Sequence, residues 1–476
     1  MKKDEKQSST EVSRRQFVGT AAAAAAGLTI VPRHVLGMGM QAPSDKVNVA
    51  VVGYIHGMGT ANLLNVVKTD NVVALCDCDE SEAAKEALTR RKTLELLPNA
   101  KMHKDYRRML ESQKDIDAVL VATPDHTHAV VALAAMQLGK HVYVQKPLTR
   151  TISEARVLSE AAKRYKVVTQ MGNQGHSEEG LRLMQEWFDA GALGEVREVH
   201  CWTNRPIWPQ GMPRPADEMP VPQGLDWDLW IGPSPTRPFH KTYHPFGWRA
   251  WQDFGAGAMG DMACHVMDAS YTILKLGAPS SIIASLAYNF LPPAPGQRGF
   301  GQRVEYNDSY PPSSVIHLTF PARGNMPEVK LHWYDGGILP ELPDELESGR
   351  RLPESGTIFV GSKAKMWCET YSESPRLIPE TAMQAFTRPE KTLPRVPEGR
   401  AGHERNWLDA IRQKGKAVSD FDYAGPFTET VLLGNVALRF PGERLQWDTA
   451  AMKVTNKPEA DQFVQHQYRP GWTLTT

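Results

Sequence analysis

The chain has 476 residues and equal numbers of acidic and basic side chains, so its formal net charge is zero. That length holds two domains and a leader, and the neutral balance offers no electrostatic footprint for nucleic acid or another polyanion. Five scattered cysteines, Cys76, Cys78, Cys201, Cys264 and Cys368, have no metal-ligand spacing and read as reduced thiols rather than a disulfide framework.

Residues 1–44 read as a targeting segment and linker. A polar start leads to Ser13-Arg14-Arg15-Gln16-Phe17-Val18, then an apolar run to Val31 that is too short and too alanine-rich for a membrane span. The stretch resembles a twin-arginine (Tat) signal, with Val18 where Leu is usual. The resemblance implies passage through the Tat translocon into the periplasm, as a folded protein with any cofactor already bound. Processing is expected between Gly37 and Ser44.

Residues 45–171 alternate strand and helix, the pattern of a doubly wound parallel sheet. Val47 to Val52 is a buried parallel-type strand, followed at once by Gly53, Gly57 and Gly59. Ala61 to Val67 is helical, and Asn71 to Cys76 is a strand ending on Asp77. This is the order of a dinucleotide site: glycines admit the pyrophosphate, a helix N-terminus faces it, and an acid takes the ribose hydroxyls. The turn is GxxxGxG, one residue longer than GxGxxG, and it presents His56 and Met58 beside the glycines. Asp77 follows Gly53 by 24 residues, with no Arg or Lys directly after it, so NAD is favoured over NADP. Further elements are helices at Glu82 to Leu97, His128 to Leu138 and Ile152 to Tyr165. Strands are expected at Asp117 to Ala122, His141 to Val144 and Val167 to Met171. Two segments leave the carboxyl ends of these strands, where ligands bind: Thr123-Pro124-Asp125-His126 and Gln145-Lys146-Pro147.

Residues 172–476 read as an α+β domain with an open, largely antiparallel sheet and C-terminal helices. Gly180 to Ala190, Gly260 to Leu276, His403 to Lys414 and Phe427 to Arg439 are helical. Val196 to Thr203, Ser280 to Tyr288, Val315 to Phe320, Val329 to Tyr334 and Gly356 to Val360 are strands. Asn204 to His244 is a long loop rich in Pro, Trp and Gly, of the kind that lines binding sites. Most of the twelve tryptophans fall between Trp187 and Trp251, where amphipathic rings suit a carbohydrate-facing cleft as well as a core. Glu341 to Glu354 and Glu369 to Glu398 are polar, proline-rich surface segments.

Three groups carry chemistry. Lys146, at a strand end beside the cofactor cleft, can hold a substrate hydroxyl and stabilise negative charge. Asp261 and His265 lie four apart on one helix face behind a glycine-rich approach; neutral His is the usual acceptor of an alcohol proton, and Asp261 can contact a neighbouring hydroxyl or tune it. Asn173-Gln174-Gly175-His176 can offer amides and an imidazole to sugar hydroxyls, or form a plain turn. His126-Thr127-His128, with Asp261, His265 and Asp268, is a weak metal pattern, and no metal is expected.

Together the dinucleotide stretch, Thr123-Pro124-Asp125-His126, Lys146-Pro147 and Asp261-xxx-His265 resemble the Gfo/Idh/MocA oxidoreductases, the glucose–fructose oxidoreductase and inositol dehydrogenase relatives. The resemblance spans about Lys46 to Phe440. It implies a Rossmann domain, a second domain whose open sheet makes oligomer contacts, and action on sugars or polyols with NAD(P). It further implies that Lys146 contacts substrate near the nicotinamide and that His265 is the base. Gln145 departs from the family's Glu before Lys-Pro. Trp248-Arg249-Ala-Trp251-Gln-Asp253-Phe254-Gly255 resembles the exported, Trp-rich branch, which includes members active on glycosides. The expected protein is therefore an exported homo-oligomeric oxidoreductase with tightly bound NAD, oxidising a sugar or glycoside, plausibly at C3. The expected cofactor contacts are Gly53, His56, Gly57, Met58, Gly59, Asp77, Thr123, Pro124, His126 and Lys146, and the expected substrate contacts are Asn173, His176, Trp248, Arg249, Asp261 and His265. A redox-neutral NAD-dependent glycosidase, working by oxidation, elimination, hydration and reduction, uses the same parts and suits a compartment with little free NAD. A non-catalytic sugar-binding protein is the third reading.

Overall fold

The computed structural model describes residues 45–475, so the expected Tat signal lies outside the described residues. β1 (Asn48–Val52), β2 (Asn71–Cys76), β3 (Lys101–His103), β4 (Ala118–Val121), β5 (His141–Val144) and β6 (Thr169–Met171) form one sheet in the order β3-β2-β1-β4-β5-β6. Every pairing in it is parallel, so each connection must cross over, and helices cover both faces. The crossovers are α1 (Gly59–Val67), α2 (Glu82–Arg91), α3 (Tyr106–Ser112), α4 (Asp125–Gln137) and α5 (Ile152–Tyr165). Local chemistry sets their limits. Ser81 caps α2 by accepting from Ala84 N–H, and Thr151 with Glu154 forms a reciprocal capping box at α5. The helix expected to run to Leu97 stops at Arg91, where Lys92 turns left-handed at φ 51°. β3 and α3 escape the sequence reading because three residues with exposed Lys101 and Met102 leave no alternation to detect.

Two glycines make the turn after β1 possible. A Cβ on Gly53, whose φ is +82°, would lie 2.7 Å from the backbone of Ala122 and Thr123 at the end of β4. A Cβ on Gly59 would lie 1.9 Å from the Gly53 carbonyl oxygen. Gly53→Ala is therefore expected to destabilise the fold by about 1–3 kcal/mol, read as a lower midpoint in denaturant with an unchanged slope. An unchanged midpoint would show that β1 and β4 can separate without cost.

The second part contains α6 (Glu179–Asp189), β7 (Val196–Trp202), α7 (Trp227–Ile231), α8 (Gly257–Val266), α9 (Asp268–Ile273), β8 (Ser281–Leu286), β9 (Ser314–Phe320) and β10 (Val329–Tyr334). It continues with β11 (Gly356–Gly361), β12 (Lys365–Glu369), β13 (Arg376–Ile378), α10 (Glu380–Ala385), α11 (His403–Ile411), α12 (Phe421–Ala437), β14 (Leu445–Asp448) and β15 (Lys453–Val454). Its nine strands are ordered β13-β12-β11-β7-β10-β9-β8-β14-β15, antiparallel except for β7 beside β10. In β9 and β10 residues alternate strictly: Ile316, Leu318, Phe320, Leu331 and Trp333 are buried, while His317 and His332, with His200 of β7, stand half-buried on the opposite face. α12 packs against α5, where Ser159 donates to the Phe421 carbonyl at 2.9 Å, so the C-terminal helix joins the core of the first sheet. The segment expected to be helical from Gly260 to Leu276 is two helices that break at Met267. The expected polar surface from Glu369 to Glu398 contains β13 and α10, anchored by buried Leu377, Ile378 and Met383. Among the described residues no helix is long and apolar enough to cross a membrane. All five cysteines are free thiols.

Candidate active site

A cleft of about 1140 Å³ opens at the carboxyl ends of β1, β2, β4 and β5, the position a doubly wound sheet reserves for ligands. Gly53, His56, Gly57, Met58 and Asp77 line one end. Gly57 has φ +64° and open space where its Cβ would be, so a phosphate can approach its backbone closely. α1 starts two residues later with its first N–H groups free of helical partners. Asp77 accepts from Ile55 N–H and Asp79 N–H, each at 3.2 Å, and burial raises its carboxyl to about 6 despite the neighbouring His56. The glycine cradle, helix start and strand-end acid fit a dinucleotide. Its diphosphate would rest on Gly57 and the start of α1, and its ribose on Asp77.

A pH dependence follows. Ribose hydroxyls need the ionised Asp77 as acceptor, and the proton competes for it. Cofactor retention is expected to hold above pH 6 and to weaken as pH falls through about 6. Nucleotide released on gel filtration at graded pH measures this, and Asp77→Ala should remove the dependence along with about tenfold of the affinity. Equal retention in Asp77→Ala would take this residue off the ribose.

At the other end Lys146 projects from β5 and donates from Nζ to Asp261 Oδ1 at 2.8 Å and to the Asp261 carbonyl at 2.9 Å. Arg249 Nε lies 3.5 Å from the same carboxylate oxygen, and its guanidinium stacks 4.1 Å above the Trp248 ring. Burial opposes charge on Asp261, but Lys146 and Arg249 overcome it and hold the carboxyl at about 2. Asp125 also lines the cleft and accepts from Ala256 N–H at 3.0 Å. Burial raises it to about 7, with Arg249 opposing and Asp261 assisting. Two carboxyls in one cleft thus have their acidities pushed apart, a pattern of acid–base sites. Gln145, in place of a charged Glu, donates to Asn62 Oδ1 at 2.8 Å, and Lys146 pairs with Asp261 instead.

The other expected residues distribute unevenly. Thr123, Pro124, Trp248 and Arg249 line the cleft. His265, one turn beyond Asp261 on α8, is 4% exposed and not part of the lining, and its ring meets Tyr371 edge-on at 4.7 Å. Its Nδ1 has no partner among the described residues, and burial, with Lys146 adding to it, holds its pKa well below the ordinary value. Gly59 and His126 are also outside the lining. His126 bonds the carbonyls of Phe254 and Trp230 at 3.1 and 2.8 Å, and His128 those of Pro147 and Thr123 at 2.9 and 2.8 Å, so the HxH pair braces loops with both rings. Asn173 and His176 turn away from the cleft: His176 Nδ1 meets Asp268 Oδ1 at 2.9 Å, and Asn173 Nδ2 donates to that oxygen at 3.2 Å.

Sequence reasoning set Asp125 in a ligand-facing segment without giving it a role, and it missed Tyr106, Trp230, His244 and Trp472 in the lining. His244 ends the long loop and places Nε2 3.3 Å from Asp79 Oδ2, which His56 Nε2 approaches at 2.8 Å. Burial opposes ionisation of Asp79, but the bonds from His244, His56 and Ser81 outweigh it and hold its carboxyl far below the usual range. One ring nitrogen each of His56 and His244 and a carboxylate oxygen of Asp79 lie within 4.8 Å of one another. They tie the loop to the glycine turn across the cleft. The proline- and tryptophan-rich composition of that loop was the available signal, but not the contact.

The parallel sheet with its glycine turn and strand-end acid has the form of a dinucleotide-binding domain, followed by a mostly antiparallel second sheet. Residues 47–173 match the family described as oxidoreductase family, NAD-binding Rossmann fold, and residues 201–285 match its C-terminal alpha/beta domain. Both matched models are those of the Gfo/Idh/MocA oxidoreductases, and together they span less than half of the chain. Levoglucosan dehydrogenase of Pseudarthrobacter phenanthrenivorans is 27% identical over 197 residues, 41% of each chain. Inositol 2-dehydrogenase of Salmonella typhimurium is 29% identical over 156 residues, 33% of this chain and 44% of that one. The chain thus spans less than half the length of these curated relatives. The WlbA dehydrogenase of Bordetella pertussis, solved with NADH and UDP-GlcNAcA, shares the fold with a TM-score of 0.55 at 15% identity, over 85% of this chain and 99% of that one.

Proposed function

We propose that the protein oxidises a secondary hydroxyl of a sugar or glycoside, at C3, with retained NAD taking the hydride and passing it to a second, carbonyl-bearing substrate before the next turnover. The Lys146–Asp261 pair in the cleft carries this reading. Bound NAD supplies a two-electron acceptor for the carbinol C–H. Lys146 donates to the reacting oxygen and stabilises its developing charge. Asp261, ionised at working pH, holds Lys146 in place and, with Arg249, offers contacts to a neighbouring hydroxyl. His265 is assigned as the proton acceptor: it is neutral, shares the helix face of Asp261, and has an unpartnered Nδ1. Trp248 and Trp230 give the apolar faces on which a sugar ring stacks. The levoglucosan and inositol dehydrogenases among its relatives support a polyhydroxylated substrate.

The Ser13-Arg14-Arg15 stretch supports Tat export with NAD already bound, and the half-buried histidine face of the second sheet supports a homo-oligomer. The test is made on purified protein without added cofactor, incubated with a panel of glycosides. Lasting near-ultraviolet absorbance of reduced nicotinamide, with an oxidised sugar, is the expected result. Aglycone release without lasting absorbance would establish the redox-neutral glycosidase instead. Absence of any bound or bindable nucleotide would overturn both.

A further inference from the structure

A second pocket, open to solvent and about 800 Å³ with that open space included, lies between the segment after β5, the Gln252–Asp253 turn, α12 and the C-terminal tail, and it shares no lining residue with the cleft. Two guanidinium groups face it, Arg150 and Arg439. Among the described residues neither forms an ion pair. Arg150 Nη1 donates to the Gln252 carbonyl at 2.7 Å, and Arg439 Nη1 to the carbonyls of Tyr306 and Asn307 at 3.3 and 3.2 Å. Asp253, the acid in the lining, is engaged by Arg237. Four buried polar atoms of this wall have no partner: Arg150 Nε, Gln252 Oε1, Asn435 Oδ1 and His466 Nε2. Gln252 itself is only 8% exposed. Burial pushes the Arg439 guanidinium below its ordinary value, with Tyr310 and Asp308 opposing and Arg150 assisting, and it pushes His466 down to about 3, with Arg150 assisting.

Two like charges turned toward one partly buried pocket, neither in contact with a carboxylate, repel each other and favour an anion between them. Orphaned amide oxygens beside them need donors. Water can serve the amides, but it brings no opposite charge. We propose that this cavity binds a small hydroxylated carboxylate of the sugar-acid type. Its carboxylate meets Arg150 and Arg439, and its hydroxyls donate to Gln252 Oε1 and Asn435 Oδ1. The same side chains grip the approach to α8, because Arg150 holds the Gln252 carbonyl and Asn435 Nδ2 holds the Ala256 carbonyl at 2.8 Å. A bound acid therefore stiffens the segment that leads to Asp261.

This inference goes beyond the proposed reaction and does not depend on it. Calorimetric titration of the protein as purified is made with D-gluconate, propionate and inorganic phosphate. Gluconate is expected to bind saturably, and propionate, which lacks hydroxyls, about tenfold or more weakly. Arg150→Gln and Arg439→Gln should each weaken gluconate by about tenfold or more, while Lys146→Ala, in the other cleft, leaves its affinity unchanged. In the unmodified protein, gluconate should slow amide exchange across residues 252–256. No saturable gluconate binding, tighter binding of phosphate than of gluconate, affinity intact in both arginine variants, or unchanged exchange at 252–256 would each overturn the proposal.

Discussion

Lys146→Ala is expected to lower turnover by about 10²–10³-fold, or about 3–4 kcal/mol, while nucleotide remains bound. The Lys146 ammonium reaches into the cleft from just beyond β5, and its 2.8 Å contact with Asp261 fixes where that charge sits. An oxygen losing its proton beside it gains charge stabilisation only in the transition state, so the loss falls on kcat rather than on binding. Lys146→Arg should not restore the rate, because a planar fork cannot replace a compact point charge at one oxygen. Single-turnover kinetics with nucleotide quantified after denaturation separates chemistry from cofactor loss. A variant that keeps its nucleotide and its rate would remove Lys146 from the reaction.

His265→Ala is expected to reduce turnover by about 10²–10⁴-fold with nucleotide retained. The competing acceptor is Asp125, whose carboxyl burial raises to about 7. The pH profile of the cofactor-loaded protein tells them apart. A base must be unprotonated, so an Asp125 base loses rate as pH falls through about 7. His265 is held well below the ordinary histidine value by burial and stays ready to accept a proton across that range, so its profile has no inflection there. A flat profile with an inactive His265→Ala variant assigns the proton to His265. An inflection near 7, with activity kept in His265→Ala and lost in Asp125→Asn, assigns it to Asp125.

Much of the first sheet was legible because its signals are local. β2, β5 and α5 run over the same residues in sequence and structure, since apolar runs, capping residues and glycine turns act within a few positions of each other. The small strand β3 and the pair β14 and β15 were not legible, because they are short and, unlike the four-residue β5, carry no continuous buried run. In the site, Lys146 and Asp261 could be picked out separately, each by its place at the end of an element. Their bond could not, because 115 residues separate them.

The chain's order of strand, glycine turn, helix and strand-end acid was decided by the sequence itself, because the left-handed turn at Gly57 and the apolar runs of β1 and β2 are local signals. What the long-range packing alone decided was which charges meet. It drew Asn173 and His176 inward to Asp268, set Arg249 beside Asp261, brought His244 across to Asp79, and left Arg150 and Arg439 facing one cavity. Such encounters depend on the three-dimensional path of loops tens to hundreds of residues apart, and burial then sets acidities that no local pattern encodes.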